Sequence, residues 1–367
     1  MPTSEMQKLH PVEAVKGRGA SNNTTPVRFN LLEREHDGDW IDARQHVDGD
    51  VFQLKTTVTE EFPKSILSFN SSPDLPFDRS VNAYRGCEHG CIYCYARPSH
   101  AYHDLSPGLD FESRLFAKPN AAELLRKTLA KPGYKPATIA IGTNTDPYQP
   151  IERSYRITRS ILALMVETLH PIVITTKSAR VVDDIDYLRQ LAAMQLTGVA
   201  ISVTSLDAKL ARILEPRASS PMTRLAAMRK LAEAGIYVHV NIAPVIPAIT
   251  DGEIEAVAAA AAEYGASSVS WIPIRLPHEV APLFRDWLQV HFPDRASKVM
   301  NHIQEMRGGK DNDPEFFNRM RGQGVWAELI CTRMKIAVRK HGLDSSKWNV
   351  RSDLFVPPNI DGQLSLF

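Results

Sequence analysis

The 367-residue chain has almost no net charge. Its 43 Lys and Arg stand against 42 Asp and Glu, leaving +1, so bulk attraction to a polyanion is excluded and only a local basic groove could bind one. Long apolar runs are also missing. The longest small-apolar stretch, Ala256 to Ala262, falls far short of the ~18 residues a membrane span needs, and the first 30 residues carry no apolar leader segment. The expectation is a soluble, cytoplasmic protein with no membrane partner. Cysteine is scarce, at four residues, and three of them lie between Cys87 and Cys94. That crowding excludes the loop-stapling disulfides of secreted domains and points instead to metal. What the chain does have is 43% hydrophobic residues, enough for a sizeable core.

Residues 1–36 are rich in Ser, Asn, Thr, Gly and basic residues without a sustained period, and Lys16-Gly-Arg-Gly-Ala-Ser-Asn-Asn23 reads as a flexible arm, with folding over a ligand or partner as the alternative. Residues 37–77 form an N-terminal extension in which Val51–Val58 alternates like a strand. From residue 78 to 293 a rhythm sets in. Six β-branched runs, Ser80–Tyr84, Thr138–Gly142, Ile172–Thr176, Gly198–Thr204, Tyr237–Ala243 and Ser268–Ile274, read as buried parallel strands. Helical spacing fills the gaps at Ala121–Leu129, Ser154–Leu169, Val181–Met194, Met222–Ala234 and Gly252–Tyr264, with Gly235 as a C-terminal stop and Thr250-Asp251 as an N-cap. The fold class is α/β. Six βα units fall short of the eight of a closed barrel, which implies an open, partial (β/α)6 TIM-like barrel with its chemistry at the C-terminal ends of the strands. Residues 294–367 form a C-terminal extension with a helix over Gly324–His341, packed on the barrel or covering its open side.

At the end of the first strand stands Cys87-Glu-His-Gly-Cys91-Ile-Tyr-Cys94-Tyr-Ala-Arg97. Three thiolates on one short loop can hold three corners of an iron–sulfur cube and leave the fourth iron open, which makes a metal centre catalytic rather than structural. A structural zinc site with His89 or His100 as fourth ligand is the competing reading, although the usual second ligand couple is missing.

The C-x3-C-x-aromatic-C pattern after the first strand of a βα repeat resembles the radical S-adenosylmethionine (SAM) superfamily, over roughly Asp78 to Leu276. The resemblance implies a 4Fe-4S cluster on Cys87, Cys91 and Cys94. The cluster's unique iron binds SAM and cleaves it reductively to a 5′-deoxyadenosyl radical that abstracts hydrogen. It also implies a reductant partner such as flavodoxin or ferredoxin. Tyr93-Cys-Tyr-Ala-Arg97, Gly142-Thr-Asn-Thr-Asp-Pro-Tyr-Gln-Pro-Ile-Glu152 and Thr175-Thr-Lys-Ser178 are similar to the spore photoproduct lyase-like, "DNA repair photolyase-like" branch, and the Lys16–Asn22 arm with Arg28-Phe29 to a bacterial subgroup of unassigned substrate. By that resemblance Tyr93 and Tyr95 flank the adenosyl group, and Thr145 and Asp146 receive the methionyl amino group. Lys177 faces the carboxylate or ribose, as does the Ser202 hydroxyl. Arg217 pairs with the SAM carboxylate or, equally, forms an ion pair with Glu215 or a neighbour.

The lyase needs a hydrogen-donating cysteine near the place of Thr143, where this chain has none; Cys331 on the C-terminal helix is a candidate donor if that helix folds over the mouth, against the plainer reading of a buried structural thiol. Arg333, Lys335, Arg339 and Lys340 with Trp326 and the tyrosines 84, 93, 95, 102 and 148 suggest a basic stacking surface for nucleic acid, against a plain solvated helix face. Three function classes stay open: a radical enzyme acting on a nucleic-acid base or another biomolecule, an iron–sulfur binding or regulatory module without turnover, and a structural zinc protein.

Overall fold

Strand and helix alternate between residues 79 and 273 in the computed structural model, which describes residues 15–23, 54–344 and 349–359; every statement of absence below concerns these. The strands are β1 Thr57–Glu60, β2 Leu67–Phe69, β3 Arg79–Val81, β4 Tyr84–Arg85, β5 Arg114–Ala117, β6 Ile139–Ile141, β7 Ile172–Thr176, β8 Thr197–Ser202, β9 Tyr237–Val245 and β10 Ser268–Pro273. The longer helices are α1 Ala121–Leu129, α2 Ile157–Thr168, α3 Ile185–Ala193, α4 Pro221–Glu233, α5 Ile254–Glu263, α6 Val280–His291, α7 Ala296–Glu305 and α8 Gly324–His341. The main sheet runs β10-β9-β8-β7-β6-β3-β2, with β2 antiparallel and the other six strands parallel. Strands β10 and β2 are free edges, so the barrel is open, as the count of six implies.

Alternation along the strands sorts the two faces. Val238, Val240 and Ile242 of β9, Ile172 and Ile174 of β7, and Val199 and Ile201 of β8 are buried against the outer helices, and burying each such side chain fully is worth about 1.5–3 kcal/mol. The opposite, concave face is polar: His239 meets Ser268 at 2.7 Å and Ser270 at 2.8 Å, and Ser270 donates to Asn241 at 2.7 Å. Burial holds the His239 ring at a pKa of about 4, so it is neutral there.

A second apolar core sits at the C-terminal ends of the strands. Val280, Leu283, Phe284 and Trp287 of α6 and Val299 and Ile303 of α7 pack with Ile92, Leu214, Ile246, Ile274 and Leu276. This core anchors the cysteine loop from one side.

Several expectations shift. The first strand splits: β3 stays in the main sheet, whereas β4 turns out to pair with β5 in a small β1-β5-β4 sheet, because Asn82 is drawn to Thr143 and Asn144. The helix expected at 154–169 breaks at Arg156, which adopts φ +51°, into Glu152–Tyr155 and α2. The start of the helix expected at 181–194 is a tight turn at Ala179–Asp184. Ser220 and Pro221 open α4 as a cap and a first-turn proline, and Gly235 closes it at φ +77°. The strand expected at 51–58 begins only at Thr57, and residues 51–53 lie outside the described residues.

Of the expected flexible arm, residues 1–14 and 24–36 lie outside the described residues. Residues 15–23 are packed: Arg18, Gly19 and Ala20 are buried, because Glu112 takes the backbone N–H groups of Gly19 at 2.9 Å and Ala20 at 2.8 Å. Helix α8 has the expected bounds and lies along α5, where Ala327, Ile330, Met334 and Ala337 are buried. It covers the outside of the barrel. Trp326 packs on His302 and Arg333 pairs with Glu255, whereas Lys335, Arg339 and Lys340 of the basic surface expected on this helix are exposed.

Candidate metal and cofactor site

The cysteine loop leaves β4 and turns at Gly90, which adopts φ +67°; a Cβ there would stand 2.7 Å from a Glu112 carboxylate oxygen, so only glycine fits. Arg97 holds the loop from within. Fully buried, it donates to the carbonyls of Cys91 at 2.9 Å, Gly90 at 3.2 Å, and Pro107 and Gly108 at 3.0 Å, and it pairs with the equally buried Glu112 at 2.5 Å. A guanidinium without that carboxylate would be an uncompensated charge in the interior.

Cys87, Cys91 and Cys94 are free thiols; the first two are buried and Cys94 is half-buried, touching both the Cys91–Tyr93 apolar group and the Cys87–Phe111 group. Burial pushes Cys91 up to about 12 with help from Glu215, and burial, Asp146 and Cys91 push Cys87 well above the ordinary thiol range. Crowded, desolvated sulfurs of this kind are held as thiolates only by a bound cation. Among the described residues no three His, Cys, Asp or Glu side chains gather tightly enough to chelate a single ion. Three soft sulfur donors spread around one loop suit a cluster better than one ion. The zinc reading also loses one of its two fourth ligands. His89 faces Asp146 at 3.3 Å, and His100 turns its Nε2 to the Arg114 carbonyl at 2.9 Å while its buried Nδ1 stays without a hydrogen-bond partner, so the zinc reading keeps at most His100.

Around the loop the predicted SAM contacts divide. Lys177 follows β7 and sets its amine 5.7 Å from the Tyr93 ring centre, and Ser202 ends β8; both stand at the C-terminal ends of strands. Tyr95 is 46% exposed, donates to the Thr143 carbonyl, and lies 5.3 Å below the Arg275 guanidinium. Thr145 is buried in the loop after β6.

Asp146 departs from its expected role. One of its oxygens accepts from Thr176 at 2.7 Å and the Tyr148 N–H at 2.9 Å; the other accepts from the Lys177 N–H at 2.7 Å and faces His89. Burial raises its pKa, but His89 and these bonds pull it down to about 2. A carboxylate so occupied has no lone pair left for an amino group; it ties the loop after β6 to β7. Arg217 likewise pairs with Glu88 at 2.9 Å, not with Glu215, and its backbone N–H holds the His89 carbonyl at 3.2 Å. Cys331 lies on α8, on the outer layer, and not over the mouth where a hydrogen donor would have to be.

The network behind Cys91 was not expected, although two of its members, Tyr93 and Glu215, were singled out for other roles. Glu215, at the end of the short helix Ala208–Leu214, accepts from the Tyr93 phenol and from Thr204 at 2.6 Å, and pairs with Arg224 of α4. Burial raises Glu215, yet Arg224 first and then Lys177 bring it down to about 2. Tyr93 is therefore turned with its hydroxyl to the protein and its ring toward Lys177. Of the tyrosines expected to stack on nucleic acid, Tyr84 is bound to Glu152 and Tyr148 to Asp184, both buried, and only Tyr95 and Tyr102 are exposed.

An open parallel barrel whose first βα loop carries three thiols defines a class. Residues 81–261, just under half of the chain, match the model of the Radical SAM superfamily, whose enzymes use a 4Fe-4S cluster and SAM. An uncharacterized protein of Mycobacterium tuberculosis is 36% identical over 226 residues, 61% of this chain and 66% of that protein. One of Methanocaldococcus jannaschii is 28% identical over 173 residues, 47% of this chain and 62% of that protein. This chain thus spans just under two thirds of these relatives. Among solved structures, spore photoproduct lyase complexed with dinucleoside spore photoproduct is similar with a TM-score of 0.55 at 17% identity, covering 77% of this chain and 79% of that one. A mutant of that lyase with bound AdoMet and dinucleoside spore photoproduct gives a TM-score of 0.50 at 16% identity, over 74% and 76%. These two likenesses concern the fold.

Proposed function

We propose that this protein is a radical SAM enzyme in which Cys87, Cys91 and Cys94 hold the cluster. The observation that carries the reading is the loop itself: three free thiols at the C-terminal mouth of an open βα barrel, enclosed by Arg97, Glu112 and the Glu215–Arg224 pair. With an electron from a flavodoxin- or ferredoxin-like donor, the bound cluster supplies cleavage of the SAM C–S bond to methionine and a 5′-deoxyadenosyl radical. The chain's own residues orient and seclude. Lys177 offers a cation to the methionyl carboxylate over the Tyr93 face, and Ser202 a hydroxyl to the ribose. The neutral His239, Asn241 and Ser270 line the concave face with hydrogen-bonding groups for substrate.

The substrate is a nucleic-acid base or another planar anionic molecule, and the support lies at the open side. Arg275, just beyond β10, stacks over exposed Tyr95 and meets only the Met320 sulfur, at 3.8 Å, with its Nε unpartnered. Arg319 lies 4.8 Å over the exposed Phe316 beside it but is paired with both oxygens of Asp74, so the free cation at this edge is Arg275. A cation stacked on an aromatic ring is a platform for a ring with a phosphate. Thymine-dimer repair through a cysteine donor has no donor at the mouth among the described residues. The deciding experiment is anaerobic: reconstituted, dithionite-reduced protein is incubated with SAM and 5′-deoxyadenosine is measured. Iron, acid-labile sulfide and 5′-deoxyadenosine together bear the proposal out; zinc without sulfide ends it.

A further inference from the structure

The segment Arg18-Gly19-Ala20 lies outside the matched domain, yet it touches the cysteine loop more intimately than most of the barrel does. Gly19 sits against Gly90: a Cβ on Gly19 would stand 1.8 Å from the Gly90 carbonyl oxygen and 3.2 Å from the Ile92 nitrogen. Ala20, at 1% exposure, packs in the apolar group that contains Cys91, Ile92 and Tyr93. The contact is built by charge. Glu112 grips the N–H groups of Gly19 and Ala20 with the two oxygens of one carboxylate, and the same carboxylate holds Arg97, which holds the Gly90 and Cys91 carbonyls. Arg18, also buried, donates to the Glu112 carbonyl at 2.5 Å, to the Leu54 carbonyl at 2.6 Å and to Thr56 at 3.1 Å. Asn22 and Asn23 continue the strap over the next turn, through Leu109 and Asp110.

We infer that residues 18–20 are the outer wall of the cluster site, a strap that Glu112 and Arg97 fasten to the back of the Cys87–Cys94 loop to keep water and oxidants from the sulfurs. The inference rests on the cluster reading above. A wall of glycine and alanine is what the place demands, because the backbones approach too closely for a larger residue. A carboxylate shared between strap and loop makes them move as one body. Solvent reaching the cluster would favour the more negative, reduced state and raise its potential, because water stabilises the extra charge.

The test compares anaerobically reconstituted wild type with Gly19→Ala, Arg18→Met and, as control, Gly252→Ala, where an added methyl meets nothing within 4 Å. Three quantities are read: iron and sulfide per chain, the half-life of the cluster absorbance in air, and the midpoint potential by EPR-monitored titration. Gly19→Ala is expected to shorten the air half-life about 10-fold and raise the potential, the size typical of losing an outer-shell partner, with the control at wild-type values. Arg18→Met, which removes the strap's anchor without a collision, is expected to move both readings the same way by less, and it decides the matter if Gly19→Ala does not fold by circular dichroism. Unchanged half-life and potential in the folded variants overturn the inference. A wild type that takes up no iron and sulfide instead overturns the cluster reading.

Discussion

Replacing Glu215 by Gln removes one charge from one of the two fully enclosed ion pairs at the site. Arg224 has 1% and Glu215 none of its side chain exposed, so neither solvent nor salt can stand in for the lost partner. Breaking a buried pair from one side costs about 3–5 kcal/mol, far more than the usual 0–1 kcal/mol of a surface pair. The amide keeps an oxygen for Tyr93 and Thr204 but points an N–H2 at a guanidinium, so relief is small. We expect the unfolding free energy of apo Glu215→Gln in urea to fall by that amount, seen as a lower midpoint at unchanged slope, and Glu215→Gln/Arg224→Met to recover much of it, because removing both charges leaves nothing unpaired. The pH dependence has a definite sign. Glu215 is depressed from 4.5 to about 2, so its contribution is complete above 4.5 and is lost as pH falls toward 2, a loss the variant lacks. A single variant costing under about 1 kcal/mol, or a double variant no better than the single, would refute the reasoning.

Glu152 carries the opposite sign. Burial lifts it from 4.5 to about 7, so its folded carboxyl prefers to be protonated and stability declines by about 3 kcal/mol as pH rises from 4.5 to 7; Glu152→Gln should flatten that decline in urea titrations at the two ends. Cys87→Ala should abolish iron and sulfide retention, whereas Cys331→Ala on the outer helix should leave 5′-deoxyadenosine formation at the wild-type rate. Arg275→Gln should weaken binding of a single-stranded oligonucleotide and lower the slope of log K against log salt by about 1, read by fluorescence anisotropy; an identical slope speaks against an anionic substrate at this edge.

The barrel was legible because its signals are local. Ile172–Thr176 and the β9 run show their strand character in β-branched residues and alternation, and Gly235 its stop in a conformation few other residues tolerate. The three thiols were legible by spacing alone. The role assigned to Asp146 was not, nor was the partner that Arg217 takes, since a sequence shows that a charge is present but not which neighbour takes it. Asp146 is taken by Thr176 and Lys177 some 30 positions on, and Arg217 by Glu88 on the cysteine loop.

The same long-range pairing hid what encloses the loop. Arg97 was visible as part of the motif, but its partner Glu112 stands in an unremarkable helical turn, and the arm that Glu112 captures has the composition of a tail. Composition measures how much apolar surface a segment can bury, and by that measure residues 15–23 should be loose. They are held instead by the Arg18 and Asn23 side chains and by backbone N–H groups, which every sequence possesses, finding a desolvated carboxylate already charged by its pairing with Arg97. The backbone contact asks of residues 19 and 20 only that their side chains be small. Gly19 and Ala20 meet that requirement, which is why a glycine-rich arm can be structural at a site whose chemistry depends on excluding water.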